Sequence, residues 1–165
     1  MNQIDSIYPE DKKEMYALLQ AQVRSLLEGE TNLIANLSNI SALLNLSLPG
    51  INWAGFYLMH DNELILGPFQ GKPACVHIPL GKGVCGTAAL NDEPLVVKDV
   101  HQFPGHIACD CDSASEIVVP LHCRGHVAGV LDIDSPAAGR FDNTDERELV
   151  KIAELIEAAC AWQQD

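Results

Sequence analysis

After a short polar start, the chain runs through two segments whose apolar residues recur every three or four positions. Met15, Leu18, Leu19, Val23, Leu26 and Leu27 form the first stripe. It predicts a helix started by Pro9, with Glu10 and Asp11 in its first turn, and ended by Gly29. Thr31 can cap a second helix carrying Leu33, Ile34, Leu37, Ile40 and Leu44 on one face, stopped at Pro49-Gly50. The pattern then becomes strand-like. Residues 51–59 and 63–69 read as two strands joined at His60-Asp61-Asn62, a hairpin. A short strand over 75–80, at most two helical turns over 84–91 and another short strand over 94–98 follow. Residues 99–115 predict an irregular loop, long enough to point to a function. A second hairpin pairs 116–123 with 126–134 and turns at Arg124-Gly125. Asn143, with Glu146 three residues on, opens a last helix whose apolar face carries Leu149, Ile152, Ala153, Ile156 and Cys160. Strands paired as hairpins between terminal helices predict an α+β domain, an antiparallel sheet with helices packed on it.

Composition narrows the class. At 165 residues, with 47% hydrophobic and 20% charged positions, the chain fits one globular domain spanning residues 1–165, with a core that needs no disulfides. A net charge of −13 argues against nucleic acid or an anionic membrane as partner, because both require a basic surface. No apolar run approaches a membrane span, and the first ten residues lack the basic and apolar regions of a signal peptide. A cytoplasmic location is therefore expected. Six cysteines in that compartment read as ligands, catalytic groups or core residues rather than as a disulfide framework.

Their placement is informative. Cys160 sits on the apolar face of a helix and reads as core, and Cys123 sits at a hairpin turn. Cys75, Cys85, Cys109 and Cys111 lie instead among Gly, His, Pro and Asp in the loop-rich middle third, where a ligand or a second sulfur can reach them. With His101 and His106 nearby, zinc is one reading, but the C-x-x-C knuckle is missing. A redox pair fits better: a nucleophilic thiolate and a second thiol that resolves its sulfenic acid. The histidines would lower a thiol pKa and Asp110 and Asp112 would raise it, and the pattern leaves that balance open. Gly81-Lys82-Gly83-Val84-Cys85-Gly86 matches the dinucleotide-binding G-x-G-x-x-G, with Asp99 following a strand-like run. The intervening helix is too short for a parallel crossover, so a glycine-rich entry to a short helix is the better reading.

Alternation puts Trp53 and Tyr57 on one face of their strand, and Val130, Asp132 and Asp134 on one face of the last strand. Glu116 starts the neighbouring strand and can bring a third acid to the same end of the sheet. These carboxylates mark either a solvent-facing surface or a pocket that binds a cation or supplies protons. Acids beside an aromatic wall suit a small ligand with an ammonium group and an apolar part.

Several segments together resemble the free methionine-(R)-sulfoxide reductases, enzymes built on a GAF domain. They are Ile51-Asn52-Trp53-Ala54-Gly55-Phe56-Tyr57, the run from Leu66 to Cys75, Gly81 to Thr87, Gly105-His106-Ile107-Ala108-Cys109-Asp110, and Gly129 to Ser135. The resemblance spans nearly the whole domain. It implies a central antiparallel sheet with the N- and C-terminal helices on one face and a loop-rich ligand pocket on the other. It also implies that Cys109 is the nucleophile, Cys75 the resolving thiol and Cys85 a third family cysteine with a secondary role. Trp53 and Tyr57 would wall the pocket around the substrate methyl group, while Glu116, Asp132 and Asp134 hold polar groups and assist at the sulfoxide. The implied reaction reduces free L-methionine-(R)-sulfoxide, is recycled by thioredoxin and requires no metal or organic cofactor. A homodimer is expected. Three cysteines, Cys111, Cys123 and Cys160, exceed the family pattern, and Cys111 competes with Cys75 for the resolving role. The alternative is a GAF protein that binds a small molecule or senses redox state without turnover.

Overall fold

The computed structural model describes residues 8–105 and 112–162. Its helices start where a short polar side chain can reach the free amides of a first turn. Asp11 accepts from the amides of Lys13 and Glu14 at the start of α1 (Lys12–Leu27). Asn32 accepts from the Ala35 amide at the start of α2 (Leu33–Ser47). Asp142 and Asp145 form a reciprocal capping box on α4 (Asn143–Ala159). Each cap lies within two residues of its expected place. Asn32 rather than Thr31 caps α2, and Asp142 rather than Asn143 caps α4, because the cap must stand in extended backbone just outside the first helical residue.

Six strands form one antiparallel sheet: β1 (Trp53–His60), β2 (Glu63–Gln70), β3 (His77–Pro79), β4 (Leu95–Val97), β5 (Ser115–Cys123) and β6 (His126–Ser135). Their order is β3-β2-β1-β6-β5-β4, so the two hairpins meet at the centre through β1 and β6. The strand expected from residue 75 is shorter than the pattern implied. Cys75 and Val76 precede β3, and the Cys75 carbonyl accepts from the Tyr57 hydroxyl at 3.0 Å. The 99–115 stretch is not wholly irregular, since Val100–Gln102 make a 3-10 turn capped by Asp99.

The period-two pattern sorts the sheet into two faces. Ala54, Phe56, Ile117, Val119, Leu121, Leu131 and Ile133 point to one side and pack with Leu37, Ile40, Leu44, Leu149, Ile152 and Ile156 from α2 and α4. Tyr16, Leu19 and Val23 of α1 close this core. Each such aliphatic side chain contributes about 1.5–3 kcal/mol on burial. The opposite face carries a smaller cluster of Trp53, Tyr57, Leu64, Ile78, Val84, Ala88, Val118 and Val130, and among the described residues the helix packed on it is the short α3 (Gly83–Asn91). Gly86 is what lets α3 lie so close. A Cβ there would stand 2.4 Å from the Pro79 carbonyl oxygen, while the Gly81 amide bonds the Gly86 carbonyl at 2.8 Å. The glycine-rich run is therefore a tight helix entry, and nothing follows it that could serve as a parallel crossover. One short helix cannot cover a six-stranded sheet, so a pocket remains beside it.

Candidate active site

Register decides which side chains meet. Trp53 lies opposite Asp134, Gly55 opposite Asp132 and Tyr57 opposite Val130 across β1 and β6. Glu116 lies opposite Asp134 and Val118 opposite Asp132 across β5 and β6. All of these share the face away from the main core, so the three acids and two aromatic rings converge. They line a narrow pocket with a cavity volume of about 30 Å³, together with Lys72, Pro73, Ala74, Ile78 and the first α3 residues Gly83, Val84 and Cys85. The pocket reading of the carboxylates thus replaces the solvent-face reading.

The aromatic wall is rigid. Trp53 stacks on Phe69 with ring centroids 5.2 Å apart and on Tyr57 at 5.9 Å. Its indole nitrogen donates to the Lys72 carbonyl at 3.1 Å, and the Tyr57 hydroxyl donates to the Cys75 carbonyl. Two β1 side chains therefore hold the 72–75 segment over the pocket by its backbone. Cys75 is in a disulfide, whereas Cys85, Cys123 and Cys160 are free thiols. Cys109, Cys111 and His106 lie outside the described residues.

The acids are buried unequally. Glu116 and Asp132 are each only 6% exposed, and Asp134 is half-buried. Burial first, then the charges of Asp132 and Asp134, push the Glu116 carboxyl well above the ordinary carboxylate range. Burial pushes Asp132 up to about 7, against the opposing effect of hydrogen bonds from Cys85 and Glu116. The two acids titrate as one system. One oxygen of Asp132, Oδ1, is buried without a hydrogen-bond partner, which is costly for a carboxyl group unless a ligand supplies a donor.

Cys85 donates from Sγ to Glu116 Oε1 at 3.7 Å, and burial together with the acids raises its thiol pKa. A thiol held in that state is a poor nucleophile, so Cys85 serves as a neutral donor in the pocket floor. Cys85, Glu116 and Asp132 present their polar atoms within 4.8 Å of one another. A metal would need all three deprotonated, and their surroundings favour the protonated forms of each. Asp132, at about 7, gives up its proton most readily and can meet an organic cation, while Glu116 and Cys85 keep theirs for a proton-accepting group.

Positive character enters from the other side. Lys82 caps α3 without a side-chain hydrogen bond, so the first-turn residues Gly83, Val84 and Cys85 bring the positive end of the helix to the pocket. Lys72 lines the same rim and pairs with Asp112. Neither Lys72 nor Ile78 was singled out from the sequence. Ile78 follows from the alternation of β3, while Lys72 sits in a loop whose backbone Trp53 holds at the Lys72 carbonyl.

A GAF domain model matches residues 14–160. The free methionine-R-sulfoxide reductase of Escherichia coli strain K12 is 52% identical over 151 residues, covering 92% of either chain. The chain belongs to the free methionine-R-sulfoxide reductase family. Two solved structures of that family carry substrate. The Staphylococcus aureus fRMsr complex is 59% identical, with a TM-score of 0.84 over 87% of this chain and 94% of that one. The free methionine-R-sulfoxide reductase of Neisseria meningitidis in complex with its substrate is 44% identical, with a TM-score of 0.89 over 92% and 91% of the two chains. The family's GAF fold is the one built above, a curled six-stranded antiparallel sheet with four helices. Among the described residues, no helix is long and apolar enough to cross a membrane.

Proposed function

We propose that this protein reduces free L-methionine-(R)-sulfoxide to L-methionine, with Cys109 as nucleophile and Cys75 as resolving thiol. The observation that carries the reading is the buried Asp132 oxygen that lacks a partner, set beside Glu116, whose pKa is raised, in a pocket also lined by Trp53. A free amino acid sulfoxide offers what these groups lack: an ammonium for Asp132, a sulfoxide oxygen for a proton donor and an S-methyl group for the aromatic wall. Two relatives solved in complex with substrate support the substrate class.

A sulfoxide sulfur is a weak electrophile until its oxygen is protonated or strongly hydrogen-bonded. Glu116 supplies that proton, and its cross-strand neighbour Asp134 both assists at the oxygen and holds the Glu116 proton on. The Cys109 thiolate attacks the protonated sulfoxide at sulfur, and with a second proton the oxygen leaves as water, which gives a sulfonium joined to Cys109 Sγ. A water then attacks Sγ, the sulfur–sulfur bond breaks, and methionine leaves with Cys109 as the sulfenic acid and one proton released. The Cys75 thiol then displaces water from that sulfenic acid to form a disulfide. A dithiol such as thioredoxin reduces the disulfide and restores both thiols. The disulfide state of Cys75 and the backbone bonds that hold it over the pocket support its resolving role. No cofactor enters the scheme. Thioredoxin and a homodimer come with the family resemblance, and a cytoplasmic location with the reading of the sequence composition.

Single-turnover chemistry separates the two sulfurs. Reduced Cys75→Ser is expected to release about one methionine per chain and then to stop, even with thioredoxin, while Cys109→Ser releases none. Full multiple turnover by Cys75→Ser would move the resolving role to another thiol, first Cys111. Methionine release by Cys109→Ser would overturn the assignment of the nucleophile.

A further inference from the structure

Among the described residues, the pocket is lined by three carboxyl groups and one basic side chain, Lys72. An α-amino acid is a zwitterion. A pocket that met it with acids alone would repel its carboxylate as strongly as it attracted its ammonium. Resting on the functional reading above, we infer that Lys72 receives the substrate α-carboxylate, and that this contact makes the enzyme selective for a free amino acid.

Three features support this role. The Lys72 main chain is fixed at the rim, since its carbonyl accepts from the Trp53 indole and Gly71 beside it has φ 137, with no room for a Cβ against the Trp53 ring. The side chain is long and 60% exposed, so its head can turn from one acid to another. Its ion pair with Asp112 shows that the ammonium is oriented for a carboxylate, and because Asp112 is itself 63% exposed, exchange for a ligand carboxylate has little cost.

In a peptide the methionine carboxylate has become an amide, so a carboxylate-reading lysine would discriminate against it. The test pairs the residue with the group it reads. Wild type, Lys72→Met and Lys72→Arg are assayed with L-methionine-(R)-sulfoxide and with its α-carboxamide. A charge-assisted contact at a half-exposed rim predicts that Lys72→Met lowers kcat/KM for the free acid about tenfold, chiefly through KM. The same change should leave kcat/KM for the carboxamide within about twofold. Lys72→Arg is expected to recover most of the loss, and thermal unfolding of the variants checks that the exposed loop keeps its fold. Equal losses on both substrates would make Lys72 structural and overturn the inference. Absence of wild-type turnover on both substrates would overturn the functional reading itself, and Lys72 with it.

Discussion

Asp132→Asn is expected to make the protein more stable at neutral pH and less active. Asp132 is buried, and its carboxyl rises from an ordinary 3.8 to about 7 on folding. Below pH about 4 both the folded and unfolded chains hold the proton, so ionisation contributes nothing to the difference between them. From there to pH 7 the unfolded chain ionises while the folded one keeps its proton, and wild-type stability falls. About three pH units at 1.36 kcal/mol each give roughly 4 kcal/mol, lost progressively between pH 4 and 7 and constant above. That figure is the share of Asp132 alone; the raised Glu116 makes wild-type stability fall further as pH rises. Asparagine has almost the same shape and no charge to bury. The assay is urea unfolding of reduced wild type and Asp132→Asn at half-unit steps from pH 4 to 8. Any fixed cost of the amide appears at pH 4, so only the change in the gap is predicted: it widens towards pH 7 by several kcal/mol in favour of the variant. A gap that stays flat across this range would refute the claim that folding strains this carboxyl group. Methionine sulfoxide should bind the variant more weakly, because its ammonium has lost the acceptor, and sites that give up stability for function behave in this way.

Two further outcomes follow from the same cluster. Glu116→Gln keeps the shape but removes the proton, so kcat should fall by about a hundredfold or more. Because the Glu116 pKa is raised, wild-type kcat should decline on the alkaline side as that proton is lost, and the decline should vanish in the variant; an unchanged profile would assign the acid elsewhere. Cys85 should resist iodoacetamide in the folded, reduced protein at pH 7.5 and react once urea unfolds it, whereas half-buried Cys123 reacts sooner. Rapid native labelling of Cys85, read by peptide mass spectrometry, would contradict its neutral, buried state.

Much of this site was legible in the sequence, for a reason specific to sheets. Alternation fixes the face of every strand residue, so Trp53 with Tyr57 and Asp132 with Asp134 could be paired before any register was known. What alternation cannot supply is whether a polar face meets water or a partly covering helix. That depended on α3, whose approach rests on Gly86 lying against the Pro79 carbonyl. The convergence of Glu116 with Asp134 needed the cross-strand register of β5 and β6. Lys72 stayed hidden because it sits in a loop without periodicity, where a tertiary hydrogen bond from the Trp53 indole helps to place it. The helix starts differed by a residue or two because Pro9, Thr31 and Asn143 compete with neighbouring polar residues that cap equally well.

The measurement that tests the central claim most directly is a thioredoxin-coupled assay of the reduced protein with the R and S epimers of free methionine sulfoxide supplied separately. The account predicts sustained methionine formation from the R epimer and none from the S epimer. Turnover of neither epimer by protein with titratable free thiols, or equal turnover of both, would contradict it.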